Sequence, residues 1–481
     1  MSVLLQAAGY LPSVEEPEKE QTLKQMLTWT GIVLVLYFVL GSIDIYGANS
    51  AAVQQALNSL QTFQTLLGAQ IGSIITLGIG PIVTASIVLQ MMVGSELLPW
   101  DTNTQEGQQK FQATQKLLAY VLTIVQAFGY VLSGTFGNVA GDPALILLLA
   151  GQISLGGWLI IMMDDLVQKW GFGSGVGLFI AAGVSKQVYV AIISPLTTSG
   201  TLYWMVNGNP VGAVFRFATT LEFTSLIPII STIAVFSAVV YMQIMKVEIP
   251  LTFGNVRGFG QKWPLKFIYT SNMPVILIAA LVSNFQILGT TLAGPDGCSI
   301  LGCVNSQGQA SSGLIGLLTA PQQFATNLIS GGFGSINILT EATIAGLSFP
   351  MLSTQTGSLF HVLFYLSVYT FGSMLFSIFW MKTSGQDADS VAEQIQQTGM
   401  KVPGFRKDKR VIKKVLNRYI PGLTILSGLA VGLLAGLANM TQAAGGGTGI
   451  LLTVMILYRL YEQLAQKHME ELHPAMKDFM Q

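Results

Sequence analysis

Apolar stretches of about 20 residues recur along the whole chain, and within each the hydrophobic positions run on without alternating with polar ones. A helix of that length crosses a hydrocarbon core roughly 30 Å thick. Strands of a membrane barrel would alternate lipid-facing and lumen-facing residues instead. The pattern predicts ten spans, at 28–45, 73–93, 117–136, 144–163, 174–194, 223–245, 267–293, 359–381, 419–440 and 449–464. The expected fold class is therefore an all-α polytopic membrane protein. A division near Gly200 leaves five spans in each half, and an odd number places the halves in opposite orientations. That suits inverted repeats with a pathway where they meet.

The second span is unusual. Residues 74–88 read IITLGIGPIVTASIV, with Gly78, Gly80 and Pro81 near the middle. A broken helix persists in lipid only where neighbouring protein or a wet cavity satisfies the freed backbone groups. This segment is expected to lie beside a pathway.

Composition agrees with the pattern. Of 481 residues, 51% are hydrophobic and 10% charged, whereas soluble domains carry about 25% charged residues. Net charge is zero, so overall charge points to no nucleic acid or acidic substrate. Its distribution is more telling. Threading the chain through the spans puts all but two of the 23 Lys and Arg on one side. The exceptions are Arg216 on the other side and Lys186 within the fifth span, where its long stem allows it to snorkel. By the positive-inside rule the rich side is cytoplasmic, with both termini. Residues 1–21 have no basic n-region and read as an amphipathic surface helix, not a cleavable signal. The expected organisation is a cytoplasmic segment 1–26, a first half 27–200, a second half 201–465 with cytoplasmic loops 246–267 and 382–418, and a tail 466–481.

Loop 246–267 is glycine-rich and hairpin-like, and 382–418 contains KVPGFRKDKRVIKKVLNRY. These charges either set topology and touch headgroups or form a docking surface for a polyanion such as RNA phosphate. The external Cys298 and Cys303 could close a small disulfide loop or remain free thiols; spacing does not choose. Enzyme chemistry finds no footing. His361, His468 and His473 make no metal spacing, and no P-loop lysine follows the glycine runs at 171–177 and 445–449. Those glycines read as close helix packing. No cofactor is implied.

Several segments, in order along the chain, resemble the SecY family, the channel subunit of the Sec protein translocon, in its archaeal or eukaryotic form. They are WTGIVLVLYFVLGSIDIYG (29–47), LGIGPIVTASIVLQMMVG (77–94), GFGSGVGLFIAAGVS (171–185), PLKFIYTSNMPVIL (264–277), VLNRYIPG (415–422) and GTGILLTVMILYRLYE (447–462). The resemblance implies two inverted five-helix halves around an hourglass pore with a lateral gate. The implied pore ring is Ile79, Val83, Val176, Ile180, Ile276 and Leu452. The pairs 79/83 and 176/180 are spaced i, i+4, so each pair is expected to share a helix face. A collar of branched apolar side chains excludes water yet yields to a passing chain.

The resemblance further implies a plug at 50–69, where Leu57, Leu60, Phe63 and Leu67 recur at helical spacing, and a polar gate cluster of Thr84, Gln126 and Asn272. Bonds at such a gate are worth about 0.6–2 kcal/mol each and could part for a signal sequence; the same residues could equally glue helices together. Ribosome docking would fall on Arg257 and Arg406 with Lys407, Lys409 and Arg410; loop 246–267 carries fewer arginines than the family pattern, which shifts weight to the second loop. Implied partners are SecE-like and Sec-beta-like small membrane subunits, the ribosome, the signal recognition particle receptor indirectly, unfolded or nascent polypeptide, and lipid, in the plasma membrane. The expected function is a passive protein-conducting channel. The alternatives are a secondary solute transporter of inverted-repeat type and an insertase without a continuous pore.

Overall fold

The computed structural model describes residues 12–18, 21–48, 53, 68–94, 97–98, 100, 105–132, 136–137, 142–197, 201–206, 210–253, 260–270, 273–291, 298–299, 302–304, 310–321, 342–344, 347–349, 359–397, 400–401 and 409–472. Among them the helices in chain order are α1 (Leu23–Leu40), α2 (Gly80–Gly94), α3 (Gln105–Leu132), α4 (Pro143–Trp170), α5 (Gly175–Ile193), α6 (Tyr203–Val206), α7 (Ala213–Thr220), α8 (Ile227–Ile244), α9 (Met273–Thr291), α10 (Gly313–Leu317), α11 (Leu359–Thr383), α12 (Ala388–Gln397), α13 (Lys409–Met440) and α14 (Gly447–Leu472).

Each expected span corresponds to one of α1, α2, α3, α4, α5, α8, α9, α11, α13 and α14. Among the described residues seven are long and apolar enough to cross a membrane, and α2 and α9 contribute shorter apolar stretches. Helix α14 is apolar in its first half and polar in its second.

The chain divides into two compact units. The first holds 1–188, 306–309 and 452–481; the second holds 189–305 and 310–451. In the first, α3 packs on both α2 and α4, and α1 packs on α4. Its core includes Ile45, Leu77, Ala127, Val131, Leu149 and Ile153. In the second, α11 packs along α13 and α9 packs on α11. Small residues set these approaches: a Cβ on Gly428 would stand 2.8 Å from Ser377, and one on Gly432 2.6 Å from the Tyr369 carbonyl.

Two expectations need correction. The second span is helical only from Gly80; residues 71–79 are turns apart from an isolated bridge at Ser73. Gly78 takes φ +53°, which a helix cannot absorb, and Pro81 sits in the first turn, where its missing N–H costs nothing. The N-terminal segment is not helical over 12–18. It is strapped to the middle of α3 and the C-terminal end of α4: the Tyr120 hydroxyl donates to the Pro12 carbonyl at 3.3 Å, the Val14 N–H to Asp165 at 2.9 Å, Lys169 to the Val14 carbonyl at 2.5 Å, and the Trp170 indole to the Glu15 carbonyl at 2.7 Å. Residues 12–18 include two prolines, which donate no backbone hydrogen bond, so side chains of the helices supply the contacts. Residues 1–11 lie outside the described residues.

Candidate functional site

The turn segment 71–79 owes its position to α4. Gly156 lies directly against the Ile74 backbone carbonyl, and Gly157 against Thr123 and Leu77. Any Cβ at these positions would collide, so the glycine pair admits non-helical backbone to the interior of the unit. The freed polar groups are satisfied locally. Gly78 N–H donates to the Ile75 carbonyl (2.9 Å), Gly80 N–H to Leu77 (3.1 Å), and the Thr76 hydroxyl bonds Ser73 at 2.5 Å. This is the protein-lined setting that irregular backbone at membrane depth requires.

Ile79 therefore lies just ahead of α2, and its carbonyl accepts the Val83 N–H at 3.1 Å. Ile79 is fully buried and Val83, inside the helix, is half-buried. Val176 and Ile180 do both ride on α5, the first half-buried and the second buried. Leu452 is fully buried on α14. Helices α5 and α14 meet where a Cβ on Gly177 would stand 3.3 Å from Ile456, and where Gly173, at φ +83°, abuts Leu460. Ile276, buried in the first turn of α9, belongs to the second unit. Four helices thus carry these six positions at or near their N-terminal ends.

The start of α5 is held by a group not singled out from the sequence. Asp164 of α4 is buried at 7% exposure and accepts the Val176 N–H at 2.9 Å and the Gln168 amide at 2.8 Å. Its neighbour Asp165 points the other way, bridging Lys116 at 2.9 Å and Lys169 at 3.6 Å. Behind α5, Tyr37 stacks on Phe179 with ring centres 5.0 Å apart and donates to the Gly68 carbonyl at 2.6 Å. Lys186 donates to Gln70 at 3.0 Å.

Of the polar trio, Gln126 donates to the Thr84 hydroxyl at 3.4 Å. This bond joins α2 to α3 inside the first unit. Asn272 lies outside the described residues, as do Leu57, Leu60, Phe63 and Leu67. From segment 50–69 only Val53, Gly68 and Ala69 are described; Val53 packs 2.7 Å from where a Gly72 Cβ would be.

The loops at 246–267 and 382–418 hold regular structure. Strands β1 (Lys246–Phe253) and β2 (Gly260–Lys266) form the expected hairpin. Loop 382–418, in contrast, contains α12, strand β8 (Met400–Lys401) and the first ten residues of α13. Strand β8 pairs with β1 through Thr252–Lys401 and Phe253–Met400, giving a sheet in the order β2-β1-β8 that ties the loops together. Beneath it lies one core: Ile249 and Leu265 from the hairpin, Ala388, Ala392 and Ile395 from α12, and Ile412, Leu416 and Ile420 from α13. The i, i+4, i+8 spacing of 412, 416 and 420 buries one stripe of α13 and leaves Arg410, Lys414 and Arg418 exposed. Asp389 pairs with Lys413 at 2.5 Å. Tyr269, beside the hairpin, donates to the Gln386 carbonyl at 2.7 Å. Lys409 begins α13, while Arg257, Arg406 and Lys407 lie outside the described residues.

Between α9 and α11, strands β3 (Cys298–Ser299), β4 (Gly302–Val304) and β5 (Ala310–Ser312) form a small sheet, with a further hairpin of β6 (Ala342–Ile344) and β7 (Leu347–Phe349). Cys298 and Cys303 are directly opposed across β3 and β4. Buried His361 bonds the Thr319 carbonyl at 2.9 Å. No cluster of metal-ligating side chains occurs among the described residues.

Residues 73–461 match the SecY family. A protein translocase subunit SecY from Methanothermobacter thermautotrophicus is 42% identical over 482 residues, covering 98% of this chain and 96% of the relative. A solved structure concerned with how the SecY plug domain stabilises the closed state of the translocation channel and maintains a membrane seal superposes with a TM-score of 0.74, at 38% identity and 99% coverage of both chains. Sec61 in the canine ribosome-channel complex from the endoplasmic reticulum superposes with a TM-score of 0.72, again at 38% identity and 99% coverage of both.

Proposed function

From the premise that this chain belongs to the SecY family, we propose how its residues serve the family's work as the channel of a protein translocase, a multi-pass membrane protein through which polypeptides are conducted. The seal is the ring of Ile79, Val83, Val176, Ile180, Ile276 and Leu452. The observation that carries this reading is the turn segment ending at Ile79. It spends a stretch of span on irregular backbone, held against Gly156, to present an apolar side chain just ahead of α2. A pore closed by branched apolar side chains excludes water without a fixed charge. Segment 50–69 plugs the outer side, as the SecY plug does in the relative whose closed state it stabilises.

Transmembrane segments of the substrate leave sideways past Thr84, Gln126 and Asn272. The basic platform of Arg257, Arg406, Lys407, Lys409 and Arg410 faces the cytoplasm with both termini and docks the ribosome, the partner present in the Sec61 complex. SecE-like and Sec-beta-like subunits accompany the channel, and the driving force comes from a partner. A solute-transporter reading finds little support: Lys186 in α5 is bonded to Gln70, a neutral side chain that gives it no ion-coupling partner, and the buried Asp164 is engaged by a backbone N–H and the Gln168 amide.

The test is site-specific crosslinking from Ile79, Ile180 and Leu452 to a stalled, signal-bearing nascent chain in the reconstituted channel. Adducts at all three are expected. A chain that crosslinks elsewhere in the protein but at none of them removes the ring.

A further inference from the structure

We infer that Asp164 is a positioning residue for the seal, fixing the start of α5 so that Val176 and Ile180 hold their places. The inference rests on the ring reading above. Helix α5 begins at Gly175 after a loop, 171–174, that contains two glycines, Gly173 with φ +83°. Such a start has little stiffness of its own, and its first N–H groups have no partner within the helix. Asp164 reaches across from α4 and takes one of them, at Val176, with a bond of 2.9 Å.

The approach is tight. A Cβ on Gly175 would stand 2.6 Å from Asp164 Oδ1 and 2.7 Å from its Cα. Only glycine permits the carboxyl to sit beside the helix end. Gln168 bonds the other oxygen at 2.8 Å and fixes the carboxyl's rotation. Negative charge at a helix N-terminus is also favoured by the helix dipole. Bonded at the Val176 backbone itself, Asp164 sets one ring position directly and Ile180 one turn further along.

The experiment measures resting ion conductance of the full channel, reconstituted with its membrane subunits in planar bilayers. Asp164→Ala removes the acceptor, and the resting leak is expected to rise about tenfold or more, the scale set by losing one charge-assisted hydrogen bond. Asp164→Asn keeps an oxygen for the Val176 N–H and is expected to restore a tight channel, a rescue that generic destabilisation would not produce. A tight Asp164→Ala channel, or an Asp164→Asn channel that leaks equally, overturns the inference. Ile180→Gly runs in parallel: if it does not leak, the ring reading itself fails; if it leaks while Asp164→Ala does not, only the positioning role fails. Should Asp164→Ala not accumulate, hydrogen exchange on the unaltered protein decides. A Val176 amide as protected as the middle of α5 supports the inference, and one exchanging freely overturns it.

Discussion

Gly156 of α4 touches the backbone carbonyl of Ile74 so closely that a methyl group at position 156 would overlap it. This single contact lets a run of turns replace helix within a span. Gly151, in the same helix, has nothing within 4 Å of where its Cβ would be. The two glycines therefore predict opposite outcomes. Gly156→Ala should destabilise the protein by about 1–3 kcal/mol through overpacking, whereas Gly151→Ala should stabilise it by about 0.5–1 kcal/mol through helix propensity. Thermal unfolding of the purified protein compares them, and equal shifts would deny the contact its role.

The core beneath the β2-β1-β8 sheet bears on docking without involving charge. Leu416 and Ile395 are each 1% exposed within the cluster that joins hairpin, α12 and α13. Leu416→Ala or Ile395→Ala should each cost about 2–5 kcal/mol. Both should weaken ribosome binding by letting the two basic loops move apart, although every Lys and Arg remains. Arg406→Glu with Lys407→Glu should instead leave unfolding unchanged and flatten the salt dependence of binding, because phosphate contacts carry that dependence. Ribosome pelleting with proteoliposomes across a salt series separates the two kinds of loss.

These cases mark what the sequence could and could not reveal. The spans were legible because a membrane helix needs only length and apolarity, and the hairpin at 246–266 because glycines flag its turn. The break at Gly78 was visible, but not the absence of helix on its N-terminal side, which depends on Gly156 and Gly157 some eighty residues away. The sheet joining loops 246–267 and 382–418 was hidden because β8 is two residues long and its partner lies about 150 residues earlier. The basic start of α13 read as loop because its charges masked the Ile412, Leu416 and Ile420 stripe. Nothing in the sequence marks Asp164, since what distinguishes it is the glycine at 175 that comes within reach only in the fold.

The Thr84–Gln126 bond joins two helices of one unit, so its removal should not open the seam between gate helices by itself. Gln126→Ala is expected to cost about 0.5–1 kcal/mol, as single polar contacts in membranes do, and to leave signal-sequence dependence unchanged. Asn272→Ala should relax that dependence if the seam runs past position 272. Translocation of substrates with intact and weakened signal sequences provides the measurement. A Gln126 variant that accepts defective signals would move the seam to α2 and α3.

The β3–β4 hairpin carries both cysteines of the chain. Strand pairing sets Cys298 against Cys303, with Ser299 against Gly302. Directly opposed residues in antiparallel strands have Cα atoms about 4.5–5.5 Å apart, inside the range of about 4.4–6.8 Å that a disulfide spans. In an oxidising compartment such a bond forms and persists. Closing so short a loop stabilises by only about 2 kcal/mol in the chain-entropy picture. Its loss in a Cys298→Ser, Cys303→Ser double variant should therefore loosen this hairpin locally and leave the membrane helices, and conduction, intact. Maleimide labelling of the protein as purified without reductant should modify neither cysteine, and labelling after reduction should modify both. Two reactive thiols before reduction would show that the hairpin is held by its backbone ladder alone.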